Sequence, residues 1–156
     1  MKLADRVIIV TGGAGGIGKG IGAALLAEGA KVVLTDLDAA RVAAAAAEID
    51  PSGSRTHALA ADLADPTAVD SLIANSVAHF GELHGLVNNA GLIVMDSAWD
   101  ATAADWTRQL DVNVTASFTT ARAAARHLRT RGGGSIVNVS SNCGKVGYNN
   151  MAAYNA

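Results

Sequence analysis

The chain has 156 residues, of which 50% are hydrophobic and 17% charged; this is enough to bury one sizeable core and too little for two ordinary domains. A net charge of -2 with interspersed signs gives no basic surface for nucleic acid and no polybasic segment for anionic lipid. No segment has the apolar core of a signal peptide or the roughly 20 apolar residues of a membrane span, so we expect a cytoplasmic protein that binds a small molecule.

The first predicted elements are two strands joined by a helix. Continuous apolar runs at 7–10 and 31–34 are typical of parallel strands covered on both faces. The segment between them predicts a helix that ends at Gly29, a natural C-terminal cap. One stripe of this helix carries the apolar side chains Ile17, Ile21, Ala24 and Leu25.

The alternation of strands and helices continues along the chain. The further helices are expected at about 38–49, 71–80 and 102–131. The further strands are expected at 56–60, 83–91 and 134–141. Asp65 and Pro66 introduce the second of these helices as cap and first-turn residues. The pattern predicts one domain, residues 1–156, with an α/β fold built on a doubly wound parallel sheet.

The glycine-rich turn after the first strand, TGGAGGIGKG at 11–20, admits two phosphate-binding interpretations. Residues 13–19 spell G-x-x-x-x-G-K, the opening of a P-loop, which leaves a nucleotide triphosphatase as an alternative function. The next residue, Gly20, has no hydroxyl for the magnesium ion that this chemistry uses. The P-loop is therefore the less favoured interpretation.

The second interpretation is a dinucleotide-binding turn, T-G-x-x-x-G-x-G. Gly12 makes the tight turn, Gly16 lets the backbone approach a pyrophosphate, and Gly18 lets the helix pack closely on the sheet. The anion lies at the helix N-terminus beside Ile17, where free N–H groups and the helix dipole favour negative charge. A glycine-rich turn without a ligand remains the alternative.

Two acidic residues follow the second and third strands. Asp36 comes 18 residues after Gly18, about where a carboxylate meets an adenosine ribose. Since it would repel a 2′-phosphate, it favours NAD over NADP. Its alternative role is the N-cap of the following helix, although Asp38 can also provide that cap. For Asp62, a cap and a contact with adenine both remain open.

These motifs, in this order, resemble the short-chain dehydrogenase/reductase family over essentially the whole chain. The resemblance implies that TGGAGGIG holds the pyrophosphate and that the pair Asp62–Leu63 contacts the adenine. It implies that NNAG at 88–91, with Asn89 and Gly91, lies beside the adenosine ribose.

The resemblance also implies the catalytic residues Asn113, Ser141 and Tyr154, the serine lying thirteen positions before the tyrosine. Tyr154 exchanges a proton with the oxygen of an alcohol or ketone while a hydride passes between substrate and nicotinamide, and Ser141 hydrogen-bonds that oxygen. From position alone, Asn113 lies on an apolar helical stripe and is hydrogen-bonded either to neighbouring backbone or within a catalytic site.

In the family, a lysine four residues after the tyrosine lowers the pKa of its hydroxyl. Bringing a phenol from its ordinary pKa of about 10 to near neutrality requires roughly 4 kcal/mol. The sequence ends at Ala156, two residues after Tyr154. We therefore expect the C-terminal part of an NAD-dependent oxidoreductase to be missing. The alternative is a dinucleotide-binding fragment that does not catalyse.

The resemblance further implies self-association, whereas the spacing of the histidines predicts that there is no metal site. Family members form dimers and tetramers through long helices, so a homodimer or homotetramer is expected. An uncovered outer strand favours association as well. A single cysteine, Cys143, excludes an internal disulfide, and the four histidines lack metal-ligand spacing.

Overall fold

The computed structural model describes all 156 residues, whose five strands form one parallel sheet. The strands are β1 (Val7–Thr11), β2 (Lys31–Asp36), β3 (Thr56–Ala60), β4 (Gly85–Asn88) and β5 (Ser135–Asn138). Their order across the sheet is β3-β2-β1-β4-β5, with every neighbouring pair parallel. The chain therefore changes direction across the sheet between β1 and β4, the position where open α/β sheets bind ligands.

Helices cover both faces of the sheet, which confirms the predicted doubly wound α/β fold. They are α1 (Gly16–Ala27), α2 (Ala39–Ile49), α3 (Pro66–Phe80), α4 (Ala103–Leu110), α5 (Ala116–Thr130) and α6 (Ala152–Asn155). Apolar residues of α1 and α2 share one buried cluster, and those of α3 and α5 share the other. The result is three layers, helix on sheet on helix.

The two buried clusters follow from the alternation of side chains along β1. Val7 and Ile9 belong to the cluster beneath α3 and α5, whereas Ile8 and Val10 belong to the cluster beneath α1 and α2. Successive strand residues point to opposite faces, so an uninterrupted apolar run supplies both cores at once. All four side chains are buried.

The predicted helix boundaries are set by caps. Asp38 accepts the N–H groups of Ala40 and Arg41, and Asp65 accepts that of Thr67 with Pro66 at the start of α3. Gly29 follows α1 with a left-handed φ of +92°, as its predicted role as a cap requires. The cap of α2 is therefore Asp38 and not Asp36.

The apolar stripe predicted for α1 is wrong. Gly18, Gly22 and Leu26 form the buried face, whereas Ile17 is 69% exposed and Ala24 is exposed. Ile21 and Leu25 only flank the core. A Cβ on Gly22 would lie 3.0 Å from the side chains of Leu34 and Ile49. Glycines face the sheet because the helix lies too close to it for larger side chains.

The long helix predicted over 102–131 is interrupted by a π-helical turn, Asp111–Thr115, between α4 and α5. Such a turn adds a residue and shifts the phase of everything beyond it by about 100°. The apolar stripe on which Asn113 was predicted to lie therefore does not continue straight into α5, and Trp106 on α4, before the turn, is 42% exposed. The buried positions of α4 and α5 are Gln109, Ala116, Thr120, Ala123, Ala124 and Leu128.

The outer strand is uncovered. Ile136, Val137 and Val139 are between 36% and 51% exposed, and β5 pairs with β4 alone. On α5, Phe118 is 63% exposed.

No helix of the structure combines the length and apolarity needed to cross a bilayer.

Candidate active site

The glycine-rich turn lies at the carboxyl end of β1, beside the reversal in strand order. Gly12 has φ +64°, and a Cβ there would meet the backbone of Ala90 at 2.9 Å. A Cβ on Gly18 would lie 2.2 Å from the carbonyl oxygen of Gly12. Both glycines are therefore required by close backbone contacts, as the sequence pattern predicts for a tight turn and close helix packing.

The N-terminus of α1 is open in front of this turn. Its N-cap is Gly15, which has no side chain to accept the first N–H groups. A Cβ on exposed Gly16 would have no atom within 4 Å. Free N–H donors and open space meet at one place, which suits an anionic group.

Asn89 and Thr11 fasten β4 to the turn. The Asn89 amide donates to the carbonyl oxygens of Thr11 at 3.0 Å and Gly12 at 3.4 Å. The Thr11 hydroxyl accepts the N–H groups of Asn89 and Ala90, each at 2.9 Å. Asn89 thus fixes the turn from the β4 side.

Asp36 fixes the same turn from the β2 side. Its two carboxylate oxygens accept the N–H of Ala14 at 3.1 Å and of Leu37 at 2.9 Å. Asp62 accepts the N–H of Ala64 at 2.9 Å and does not cap α3, whose cap is Asp65. The capping alternatives for Asp36 and Asp62 are therefore wrong, and both carboxylates remain at the carboxyl edge of the sheet.

A cleft of about 860 Å³ opens between this edge and helix α4. Five of the predicted cofactor-binding residues line it: Gly12, Asp36, Asp62, Leu63 and Gly91. The other predicted site residues lie outside its lining: Gly16, Ile17, Gly18, Asn89, Asn113, Ser141 and Tyr154. The cleft therefore joins the ends of β1 to β4, and the predicted catalytic residues are not part of its lining.

Asn113 lies in the π-helical turn and binds one residue of the segment after β4. Its Oδ1 accepts the Leu92 N–H at 2.7 Å, and its Nδ2 donates to the Leu92 carbonyl at 2.8 Å. The backbone alternative for this asparagine is thus what its side chain does. One turn earlier, Gln109 Oε1 accepts the Val94 N–H at 3.0 Å, and Gln109 is 3% exposed.

Sequence reasoning missed Gln109 and a second polar group centred on Asn88. The Asn88 amide donates to Asn138 at 2.9 Å and to the Ser117 carbonyl at 3.0 Å, and its oxygen accepts from Thr120 at 2.7 Å. Asn88 and Thr120 are buried, and the network ties β4, β5 and α5 together. For Asn88, a polar residue at the end of an apolar strand was the available signal, because a buried amide must be paired.

Ser141 and Tyr154 lie on neighbouring segments after β5. The Ser141 hydroxyl accepts the Cys143 N–H at 3.2 Å and so caps a 3-10 turn, Asn142–Gly144. Helix α6, which carries Tyr154, packs against that turn and against α4. The Tyr154 hydroxyl has no hydrogen bond within the chain, and no bond joins it to Ser141. The Tyr154 hydroxyl therefore remains available to a ligand, whereas the Ser141 hydroxyl also donates to Asn142 Oδ1 at 3.5 Å.

The lysine of the P-loop pattern is engaged elsewhere. Lys19 Nζ lies 2.7 Å from the Glu48 carboxylate, an ion pair that joins α1 to α2. This pairing disfavours the P-loop interpretation, because the ammonium group would have to leave a carboxylate to reach a phosphate.

Two histidines with lowered pKa values lie away from the cleft. Burial, and next the charge of Arg6, lower the pKa of His84, whose Nδ1 accepts the Val7 N–H at 3.0 Å. Burial, and next the charge of His79, lower the pKa of His57. The His57 and His79 rings are stacked, with centroids 3.9 Å apart.

Residues 6–156 match the family model described as short chain dehydrogenase. The chain is 41% identical to 2-(S)-hydroxypropyl-CoM dehydrogenase 3 of Xanthobacter autotrophicus, over 98% of this chain and 60% of that protein. It is 36% identical to 2-dehydro-3-deoxy-L-rhamnonate dehydrogenase (NAD(+)) of a Sphingomonas species, over 99% and 61%. The structure of an NAD+-bound xylitol dehydrogenase superposes with a TM-score of 0.94 at 32% identity, over 99% and 60%. The chain thus spans about 60% of the length of these relatives.

Proposed function

Because this chain belongs to the short-chain dehydrogenase family, whose named relatives are oxidoreductases, we propose that it serves an NAD-dependent interconversion of a secondary alcohol and a ketone. The observation that carries the proposal is Asp36, which faces the cleft from the end of β2 while it holds the glycine-rich turn. The names of two similar proteins include NAD, and the name of a third describes a 2-hydroxypropyl compound.

The residues of the turn fit a dinucleotide. A Cβ at Gly18 or Gly12 would fill space that backbone occupies, whereas Gly16 leaves space open in front of the α1 N-terminus. Gly16, Ile17 and Gly18 would hold the pyrophosphate through backbone N–H groups. Asp62, Leu63, Asn89 and Gly91 complete the proposed adenosine contacts.

Asp36 supports NAD over NADP. Its carboxylate would accept hydrogen bonds from both hydroxyls of the adenosine ribose. A 2′-phosphate at the same place would bring two like charges together, and the cleft wall beside Asp36 consists of Leu37 and Ala61 rather than of a basic residue.

Tyr154 would transfer the proton, and Ser141 would assist it. A bound nicotinamide would itself donate or accept the hydride. The Tyr154 hydroxyl exchanges a proton with the substrate oxygen, and the Ser141 hydroxyl donates a hydrogen bond to that oxygen as its charge changes. Asn113 holds the Leu92 backbone at the edge of the cleft and positions this side of the site.

A second candidate is dinucleotide binding without turnover by the 156-residue chain. It is favoured by the surroundings of Tyr154, whose hydroxyl receives no hydrogen bond from a lysine or arginine. A phenol acts as a base near neutral pH when a cation stabilises its ionised form. In this case we expect weak cofactor binding and little turnover.

A cytoplasmic location and self-association are also proposed. The exposed side chains of Val114 and Phe118 on the α5 side, together with Val137 on β5, offer apolar surface to a second copy. A homodimer or homotetramer would bury part of it.

Cofactor titration and an alcohol panel test these proposals. Binding of NADH but not ATP, followed by tryptophan fluorescence, is expected. Reduction of NAD by secondary alcohols would rule out the second candidate for this chain. Binding without turnover would rule out the first for this chain, and binding of ATP alone would overturn both.

A further inference from the structure

The two walls of the cleft differ in character. One wall is made by the strand ends and carries Asp36 and Asp62. The other is made by α4 and the π-helical turn, where most cleft-facing side chains are small. Arg108 is the exception on that wall, since it is the longest side chain and the one cation in the lining.

Arg108 is uncommitted within the protein. Its guanidinium forms no ion pair and no hydrogen bond with another residue, and the side chain is exposed. The ion pairs of the chain involve other basic residues, such as Lys19 and Arg131. Arg122, farther along the same helical segment, lies over the ring of Phe118. A free guanidinium therefore borders the cleft.

The charges that line the cleft indicate a role for this guanidinium. Three carboxylates line the cleft, those of Asp36, Asp62 and Asp111, against the single positive charge of Arg108. A dinucleotide carries negative phosphates, so its entry into an acidic cleft is opposed unless a cation offsets the carboxylates. Backbone N–H groups at Gly16 carry only partial charge.

The lining also indicates which end of the ligand Arg108 would meet. The cleft includes Asp36, Asp62 and Leu63, the proposed ribose and adenine contacts, but neither Gly16 nor Ile17 at the pyrophosphate end. Leu37 and Leu63 add an apolar floor. A planar guanidinium opposite an apolar floor is suited to stacking on an aromatic ring.

We infer that Arg108 is a cofactor-binding residue that contacts the adenine of the dinucleotide from the helix side of the cleft. This inference rests on the proposed function. It adds a residue of α4 to a site otherwise built from strand ends and the glycine-rich turn. Arg108 closes the adenosine end of the cleft, and its stacking and charge both favour the bound ligand.

Titration of this chain with NADH, ADP-ribose and nicotinamide mononucleotide tests the inference. Arg108→Met should weaken NADH and ADP-ribose binding by the same factor, about tenfold, the usual scale of a cation–ring contact removed from solvent. Nicotinamide mononucleotide, which lacks the adenosine, should be unaffected. Arg108→Lys should fall between the two, because it keeps the charge and loses the planar group.

Arg122→Met is the matched control, since it removes the same group from the segment beyond the π-helical turn without touching the cleft. Circular dichroism confirms that each variant is folded. If the wild type binds NADH and Arg108→Met binds it equally well, the inference is wrong and the proposed function stands. If Arg108→Lys matches the wild type, the stacking contact is wrong. If the wild type binds neither NADH nor ADP-ribose, both the inference and the proposed function fail.

Discussion

Asn113 grips Leu92 with both ends of its side-chain amide, accepting the Leu92 N–H at 2.7 Å and donating to the Leu92 carbonyl at 2.8 Å. An amide side chain can pair in this way with a backbone unit because it offers one acceptor and one donor in a plane. Leu92 and Gly91 line the cleft, so the pair links the π-helical turn to the proposed cofactor site.

Asn113→Asp should loosen this link. The carboxylate has no N–H for the Leu92 carbonyl and places oxygen against oxygen, which should lower the free energy of unfolding by roughly 1–3 kcal/mol. Urea unfolding measures the change, and NADH affinity should fall with it. Asn149→Asp is the control, because Asn149 is exposed and its side chain forms no hydrogen bond. Equal stability of the two variants would show that the pairing contributes nothing.

Gly18→Ala should destabilise the fold. The new methyl group would lie 2.2 Å from the Gly12 carbonyl oxygen, so α1 must move away from the turn. This movement should lower the free energy of unfolding by about 1–3 kcal/mol or more. Gly20→Ala, in the same helix with nothing within 4 Å, should instead stabilise the protein by about 0.5–1 kcal/mol. Thermal unfolding of the pair measures both signs, and a loss of stability in Gly20→Ala as well would contradict the packing argument.

Gly16→Ala separates binding from folding. Its methyl group meets no protein atom, so stability should be nearly unchanged. If a pyrophosphate approaches the backbone there, NADH affinity should nevertheless drop by tenfold or more, about 1.4 kcal/mol. Isothermal titration calorimetry gives the affinity, and unchanged binding would argue against a phosphate at this glycine.

Asp36→Asn should change cofactor preference. Removing the charge weakens the interaction with the ribose hydroxyls and removes repulsion of a 2′-phosphate, so the preference for NADH over NADPH should fall by at least about tenfold. Competitive titration of the two cofactors measures it. Asp38→Asn is the control, since asparagine keeps the α2 cap and Asp38 lies outside the cleft lining. A preference that survives Asp36→Asn would remove the basis for choosing NAD.

Stability should decrease on mild acidification. The folded-state pKa of His84 is lowered by burial and then by Arg6, so the unfolded chain binds a proton first. Stability from this group is complete above its ordinary pKa of 6.5 and is lost as the pH falls below that value toward the lowered pKa. Protonation of Nδ1 would also remove the acceptor for the Val7 N–H.

Chemical unfolding between pH 8 and pH 5 tests this, in the range where histidine changes charge. His84→Gln should flatten the slope below about pH 6.5 and leave its shape above pH 7.5 unaltered. His57→Gln should flatten it in the same sense, because burial lowers the pKa of His57 too. If a variant that carries both substitutions kept the wild-type dependence of stability on pH, the acid sensitivity would belong to other groups.

Tyr154→Phe should separate chemistry from binding in any preparation that turns over. Loss of the proton-transferring hydroxyl should reduce kcat by about a hundredfold or more, whereas the NADH Kd should hardly change. Tyr148→Phe is the control, since its hydroxyl accepts a hydrogen bond from Asn142 and has no proposed role in catalysis. Equal loss in both variants would point to a structural effect.

The sequence by itself determined the alternation of strands and helices, the parallel doubly wound sheet and the glycine-rich turn. These features depend on local signals: continuous apolar runs, capping residues such as Asp65, and glycines at spacings that few other functions require. The caps at Asp38 and Gly29 also follow from neighbours in the chain.

Only the tertiary structure decided which faces and partners the elements use. Gly22 faces the sheet because α1 approaches β2 closely, a distance that helical periodicity does not contain. The π-helical turn shifts the phase of α5, and Gln109 and Asn113 pair with backbone 15 and 21 positions away. The position of Arg108 at the border of the cleft likewise depends on where α4 lies relative to the strand ends. Such contacts depend on where elements meet in space, and a one-dimensional pattern carries no record of that meeting.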